Sequence, residues 1–162
     1  MSRPKINVEK NFVDVCLEFM GLSVIALLWI IVFIKYDSMP QEIPMHYDIV
    51  GNVDRYGSRL DLFWIAGWAT FMYVVIWFLA KFPHIFNYPI KITENNAESQ
   101  YRLSLRLVRF LNLWVALIMF SITLLIVTGH NSYKAVSYIT LSSVVGFVVV
   151  MIWYVVKAKR MK

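Results

Sequence analysis

The sequence predicts an all-α integral membrane protein of four transmembrane helices, with an ordered extracytoplasmic loop between the first two. Three observations carry that prediction. Four apolar runs are each long enough to cross a hydrocarbon core of roughly 30 Å. The composition, 59% hydrophobic and only 16% charged over 162 residues, exceeds what a water-soluble domain of this size can bury. The basic residues gather at the ends of the apolar runs, which is the pattern of membrane topology.

The first run covers residues 15–34 and carries one charge, Glu18, near its start. It begins late and is followed by Lys35-Tyr36-Asp37-Ser38-Met39, with no small-x-small cleavage site, so it reads as a retained signal anchor. The second run, residues 62–80, is uncharged. The third, residues 110–128, is interrupted only by Asn112, Ser121 and Thr123, and the fourth, residues 135–156, is uncharged. In lipid each run must satisfy its own backbone hydrogen bonds, and the helix does so. The length suits a single four-helix domain, residues 1–162. The lone Cys16 excludes an internal disulfide, and no Cys/His zinc pattern is present.

Twelve of the sixteen Lys and Arg fall on one side: Arg3, Lys5 and Lys10, then Lys81, Lys91, Arg102, Arg106 and Arg109, then Lys157, Lys159, Arg160 and Lys162. Lys35, Arg55, Arg59 and Lys134 fall on the other. This bias predicts a multi-pass protein of the cell inner (cytoplasmic) membrane with both termini cytoplasmic. The net charge of +6 is therefore a topology signal, and no nucleic-acid partner is expected; membrane lipid is. Trp64, Trp68, Trp77, Trp114 and Trp153 read as interfacial anchors. Ser142 and Gly146 form a small-x-x-x-small pair suited to close helix packing.

The loop after the first run differs from its surroundings. Pro40 and Pro44 oppose helix, and Gly51-Asn52 and Tyr56-Gly57-Ser58 are turn signals. Met45, Tyr47 and Ile49 alternate with His46 and Asp48, so a short β-hairpin turning at Gly51-Asn52 is expected, packed on the membrane face. The polar groups Glu42, His46, Asp48, Asn52, Asp54, Arg55, Ser58 and Arg59 converge there. They allow a divalent metal site on His46, Asp48 and Asp54. They also allow a hydrolase with His46 as base, Glu42 or Asp54 orienting it and Ser58 as nucleophile. The remaining readings are a surface that recognises an extracellular peptide, and an ordered cap whose polar groups bond one another.

Ile43-Pro44-Met45-His46-Tyr47-Asp48, followed by Gly51, Asp54 and Gly57-Ser58-Arg59, resembles the I-P-x-H-[FY] signature of a bacterial family of uncharacterised membrane domains. That family includes the SdpI-type immunity and signalling proteins. Phe86-Asn87-Tyr88-Pro89, with Asn95 or Asn96, Tyr101 and Arg102 further on, resembles the family's cytoplasmic loop, and the two together cover most of residues 20–125. The resemblance covers Pro44, His46, Asp48, Gly51, Asp54, Gly57, Ser58 and Arg59 of the expected binding or structural loop, to which the polar residues of the stretch add Glu42 and Asn52. It also implies immunity to a secreted, membrane-acting toxin.

On the basic side, Asn95 with Glu98 three residues later has capping-box spacing. Arg102, Arg106 and Arg109 share one helix face, suited to anionic headgroups. A charge at membrane depth is costly unless paired, so Glu18 is expected to pair with Arg109, or with Arg106. The leading reading is a non-enzymatic protein whose outer loop recognises or responds to an extracellular peptide, toxin or envelope partner. The alternatives are an interfacial metal-dependent hydrolase and a small accessory subunit of a membrane complex; a homo-oligomer fits either binding role.

Overall fold

In a computed structural model, a hairpin of two strands separates the first two of four long helices. In chain order these are α1 (Phe12–Tyr36), β1 (Glu42–Tyr47), β2 (Val53–Ser58), α2 (Asp61–Leu79), α3 (Ala97–Val127) and α4 (Tyr133–Arg160). A short 3₁₀ turn, Pro83–Ile85, lies between α2 and α3. The structure describes residues 3–48, 53–128 and 133–161, so the expected turn at Gly51-Asn52 lies outside the described residues. All four helices are long and apolar enough to cross a membrane, and the chain is a multi-pass membrane protein.

Helices α1, α3 and α4 outrun their apolar runs, because polar turns can continue a helix beyond the hydrocarbon, whereas α2 matches its run to within a residue at each end. At α1 the extension has a sequence cause. Asn11 and Asp14 form a reciprocal capping box, the Asp14 N–H donating to Asn11 Oδ1 at 3.0 Å and the Asn11 N–H donating to Asp14 Oδ2 at 3.1 Å. At α3 the expected cap is not the one used. The N-cap is Asn96, not Asn95, and its side chain makes no capping bond. Its carboxamide instead accepts from the Thr93 N–H and donates to the Lys91 carbonyl, closing the preceding loop. Glu98 is held by Arg102 at 2.9 Å, which leaves it unable to reach back to the cap.

Helix α3 is the centre of the bundle and packs on α1, α2 and α4. Ile25, Leu28 and Val32 of α1, Leu62, Ala66, Ala69 and Tyr73 of α2, and Ala116 and Val127 of α3 form the main core. A second cluster joins Leu103 and Leu107 of α3 to Tyr154 and Ala158 of α4. Small residues allow the closest approaches. A side chain at Gly21 would collide with the Tyr73 ring, and one at Gly146 with the Trp114 indole. Gly146 is thus a close-packing position, while Ser142 is exposed and takes no part in a small-residue seam. Trp114 departs from the anchoring expected of it: it packs edge-on to Phe110 and against Gly146, within the helix contact. Most large apolar side chains of α1, α2 and α4 remain exposed, the surface that lipid covers in a membrane protein.

Candidate functional site

The hairpin is fastened to the bundle by its apolar and small residues. Ile43 of β1 is fully buried and joins the main core, with Met39 and Met45 packed beside it. Gly57 of β2 lies so close to Met45 and to the Asp61 carboxylate that a Cβ there would overlap both. Pro44 sits inside β1, which a two-stranded ribbon tolerates because each strand has a free edge. The register runs Glu42 opposite Ser58 and Pro44 opposite Tyr56, then shifts twice so that His46 faces Arg55 and Tyr47 faces Val53. These irregularities increase local twist and re-aim side chains.

Arg59 and Ser58 join the hairpin to the helix ends. The Arg59 guanidinium donates to the carbonyls of Tyr36 and Met39, both at 3.4 Å, and lies 4.6 Å from the centre of the Tyr36 ring. A cation at the C-terminus of α1 is favoured by the unpaired carbonyls and the helix dipole. Ser58 Oγ accepts from the Leu60 N–H at 3.2 Å, at the entry to α2. Two of the polar residues in the expected recognition loop therefore organise backbone.

His46 and Asp54 behave differently. Their side chains pair at 2.6 Å between Nδ1 and Oδ1 while remaining 61% and 45% exposed. Glu42 is exposed and Asp48, just past β1, is half-buried. Gly51 and Asn52 lie outside the described residues. Among the described residues no three His, Cys, Asp or Glu side chains gather closely enough to hold a metal ion, so His46, Asp48 and Asp54 do not form a three-donor set.

Beside the hairpin a groove of about 560 Å³ opens between the β-ribbon and the first turns of α2. It is lined by Trp64 and Trp68 of α2, Tyr56 and Met45 of the hairpin, and Met119 of α3, with Arg55 and Asp61 supplying opposite charges. Trp64 and Trp68 are exposed by 78% and 62%, and Trp68 stacks obliquely on Phe71. Arg55 links the two features, since it lines the groove and stands opposite His46 in the ribbon. The sequence marked Trp64 and Trp68 only as anchors. Their spacing of four residues on one helix face was the available signal of a shared surface.

At the opposite end of the bundle, Arg109 Nε donates to Glu18 Oε1 at 2.7 Å. Glu18 also receives Lys10 Nζ at 2.5 Å. Arg109 reaches Asp14 as well, at 3.3 Å, and Arg106 approaches the same Asp14 oxygen at 3.5 Å. Asp14 and Arg109 are only 2% and 9% exposed. Sequence reading missed Asp14, although Asn11 three residues before it signals the cap. One Asp14 oxygen caps α1 and the other meets the arginines of α3. A polar relay continues inward: the Tyr73 hydroxyl donates to the Glu18 carbonyl at 2.8 Å, and Asn112 Nδ2 donates to the Tyr73 carbonyl at 3.2 Å. Nearby, Arg3 bonds the carbonyls of His84 and Phe86, and the Tyr101 hydroxyl donates to the Pro4 carbonyl. Burial pushes the Tyr88 phenol up, so it stays a neutral donor to the Pro83 carbonyl at 2.8 Å.

Residues 24–70 match a family described as a domain of unknown function, DUF1648. The matched stretch holds the hairpin, its buried anchor and both groove tryptophans, and leaves out Asp14, Glu18 and Arg109. An uncharacterized protein of Archaeoglobus fulgidus is 40% identical over 43 residues, which is 26% of this chain. The chain spans 24% of that relative's length. No solved structure matches the chain.

Proposed function

We propose that this membrane protein recognises an envelope-active peptide, or a peptide segment of an envelope partner, in the groove between the hairpin and α2. The observation that carries this reading is the groove itself. Exposed Trp64 and Trp68 face Tyr56 and Met45, and Arg55 and Asp61 provide polar anchors. A peptide lying at a membrane surface has an apolar face and a polar face, and paired aromatic and charged contacts suit both. His46 and Asp54 extend the polar side of this surface. The chemistry is binding without catalysis, and protection against a secreted toxin, as in SdpI-type immunity proteins, is one form it takes.

In this reading the hairpin faces outward from the cytoplasmic membrane and both termini are cytoplasmic. The twelve-to-four distribution of basic residues supports that orientation. With Cys16 changed to Ser, a cysteine at Ser58 should react with an impermeant thiol reagent in intact cells. One at Ser99 should react only after lysis; the reverse pattern would invert the topology and remove the proposed role.

The functional test is peptide challenge of cells expressing wild-type or variant protein at matched membrane abundance. His46→Ala and Trp64→Ala should abolish protection or response. His46→Asn should retain part of it, because an amide replaces the hydrogen bond of a neutral imidazole. Full activity of both alanine variants would end the proposal. If Asn and Ala at position 46 were equally inactive and the purified protein carried stoichiometric metal, a hydrolytic metal site would replace it.

A further inference from the structure

A second pocket, of about 390 Å³, lies at the end of the bundle away from the hairpin, on the seam between the first turns of α3 and the last turns of α4. Arg102, Arg106 and Lys157 line it, with Glu98 as the lining carboxylate and Leu103 and Trp153 as apolar contacts. Glu98 is already engaged by Arg102 at 2.9 Å. Arg106 meets Asp14 only at 3.5 Å, and its side chain stays 41% exposed. The Lys157 ammonium rests 4.8 Å from the centre of the Trp153 ring. The pocket therefore keeps a surplus of positive charge where two spanning helices leave the apolar layer.

We propose that this seam binds the headgroup of an anionic phospholipid. The phosphate oxygens would sit among Arg102, Arg106 and Lys157, two planar guanidiniums and one mobile ammonium. A free phosphate could use the same cations. The lipid is favoured because the apolar side continues along α4 through exposed Trp153, Ile152 and Val156, a path for an acyl chain that a soluble anion does not need. This inference is independent of the hairpin groove.

The experiment is native mass spectrometry of the full chain in detergent, titrated with phosphatidylglycerol or phosphatidylcholine, with inorganic phosphate as competitor. Wild type should prefer phosphatidylglycerol. Lys157→Gln, which removes a cation without a carboxylate partner among those described, should reduce that preference roughly five-fold. Arg106→Gln combined with it should reduce the preference roughly twenty-five-fold. Lys81→Gln is the matched control. Lys81 lies 4.2 Å from the Trp77 ring centre at the end of α2, away from this pocket, so its removal should leave the preference within about two-fold of wild type. An equal loss in Lys81→Gln, no loss in the double variant, or displacement of the lipid by millimolar phosphate would each overturn the lipid assignment. Melting curves in detergent confirm that every variant compared is folded.

Discussion

At the hairpin end the His46–Asp54 pair is 2.6 Å long with side chains 61% and 45% exposed, whereas at the other end Asp14 and Arg109, 3.3 Å apart, keep only 2% and 8%. A polar pair this exposed is solvated and screened by water and contributes at most about 1 kcal/mol. A buried charge that loses its partner leaves a cost of roughly 3–5 kcal/mol. The same types of group therefore have different work available to them. Asp14, Glu18 and Arg109 hold α1 on α3 and are little open to a ligand, while Arg106 touches this cluster from its rim with its side chain 41% exposed. The hairpin pair contributes little to stability, and its geometry is open to an incoming partner.

The largest effect should come from breaking the buried cluster. Arg109→Leu should lower detergent-resistant stability by about 3–5 kcal/mol, because it leaves both Asp14 and Glu18 with weakened pairing. Adding Glu18→Leu should recover only part of the loss, since Asp14 still lacks its nearer arginine. Strictly additive losses in thermal denaturation of the four proteins would show that the pair is not coupled.

Gly57→Val should have an intermediate effect, about 1–3 kcal/mol from overlap with Met45 and Asp61. Because Met45 and Gly57 also line the groove, this variant should lose peptide response along with hairpin packing. Limited proteolysis should find new cleavage in residues 39–60 while α3 and α4 stay protected. Protection of the hairpin equal to wild type would mean that the close approach does not fasten it.

His46→Ala should change stability least, by less than about 1 kcal/mol, while changing the response to peptide most. Unfolding midpoints measured beside the challenge assay sharpen the contrast. A loss of stability matching that of Arg109→Leu would place His46 in the framework and erase the difference between the two ends.

The sequence by itself determined the four helices and the hairpin between the first two. Hydropathy over some twenty residues is a local property, and each run must bond its own backbone in lipid. Turn chemistry misled at Tyr56-Gly57-Ser58, which ends β2 as strand because it pairs with Glu42, Ile43 and Pro44 of β1. It also marked Glu18 as a charge in need of a partner, since the cost of isolation depends on depth alone. Only the tertiary structure decided how the polar loop divides. Arg59 turns back onto Tyr36 and the end of α1, Ser58 meets the backbone entering α2, and His46 and Asp54 stay outside. Nothing in the order Gly-Ser-Arg distinguishes an arginine that caps a helix from one that faces a ligand, because that depends on where α1 ends in space. The groove was hidden for the same reason. Trp64 and Trp68 look like any interfacial aromatics until the ribbon folds back beside them with Tyr56 and Met45, and α3, distant in the chain, brings Met119 to the same groove. Asp14 could have been suspected from its capping box, but its second role required α3 to bring Arg106 and Arg109 to the same oxygen, a contact made only when the helices pack.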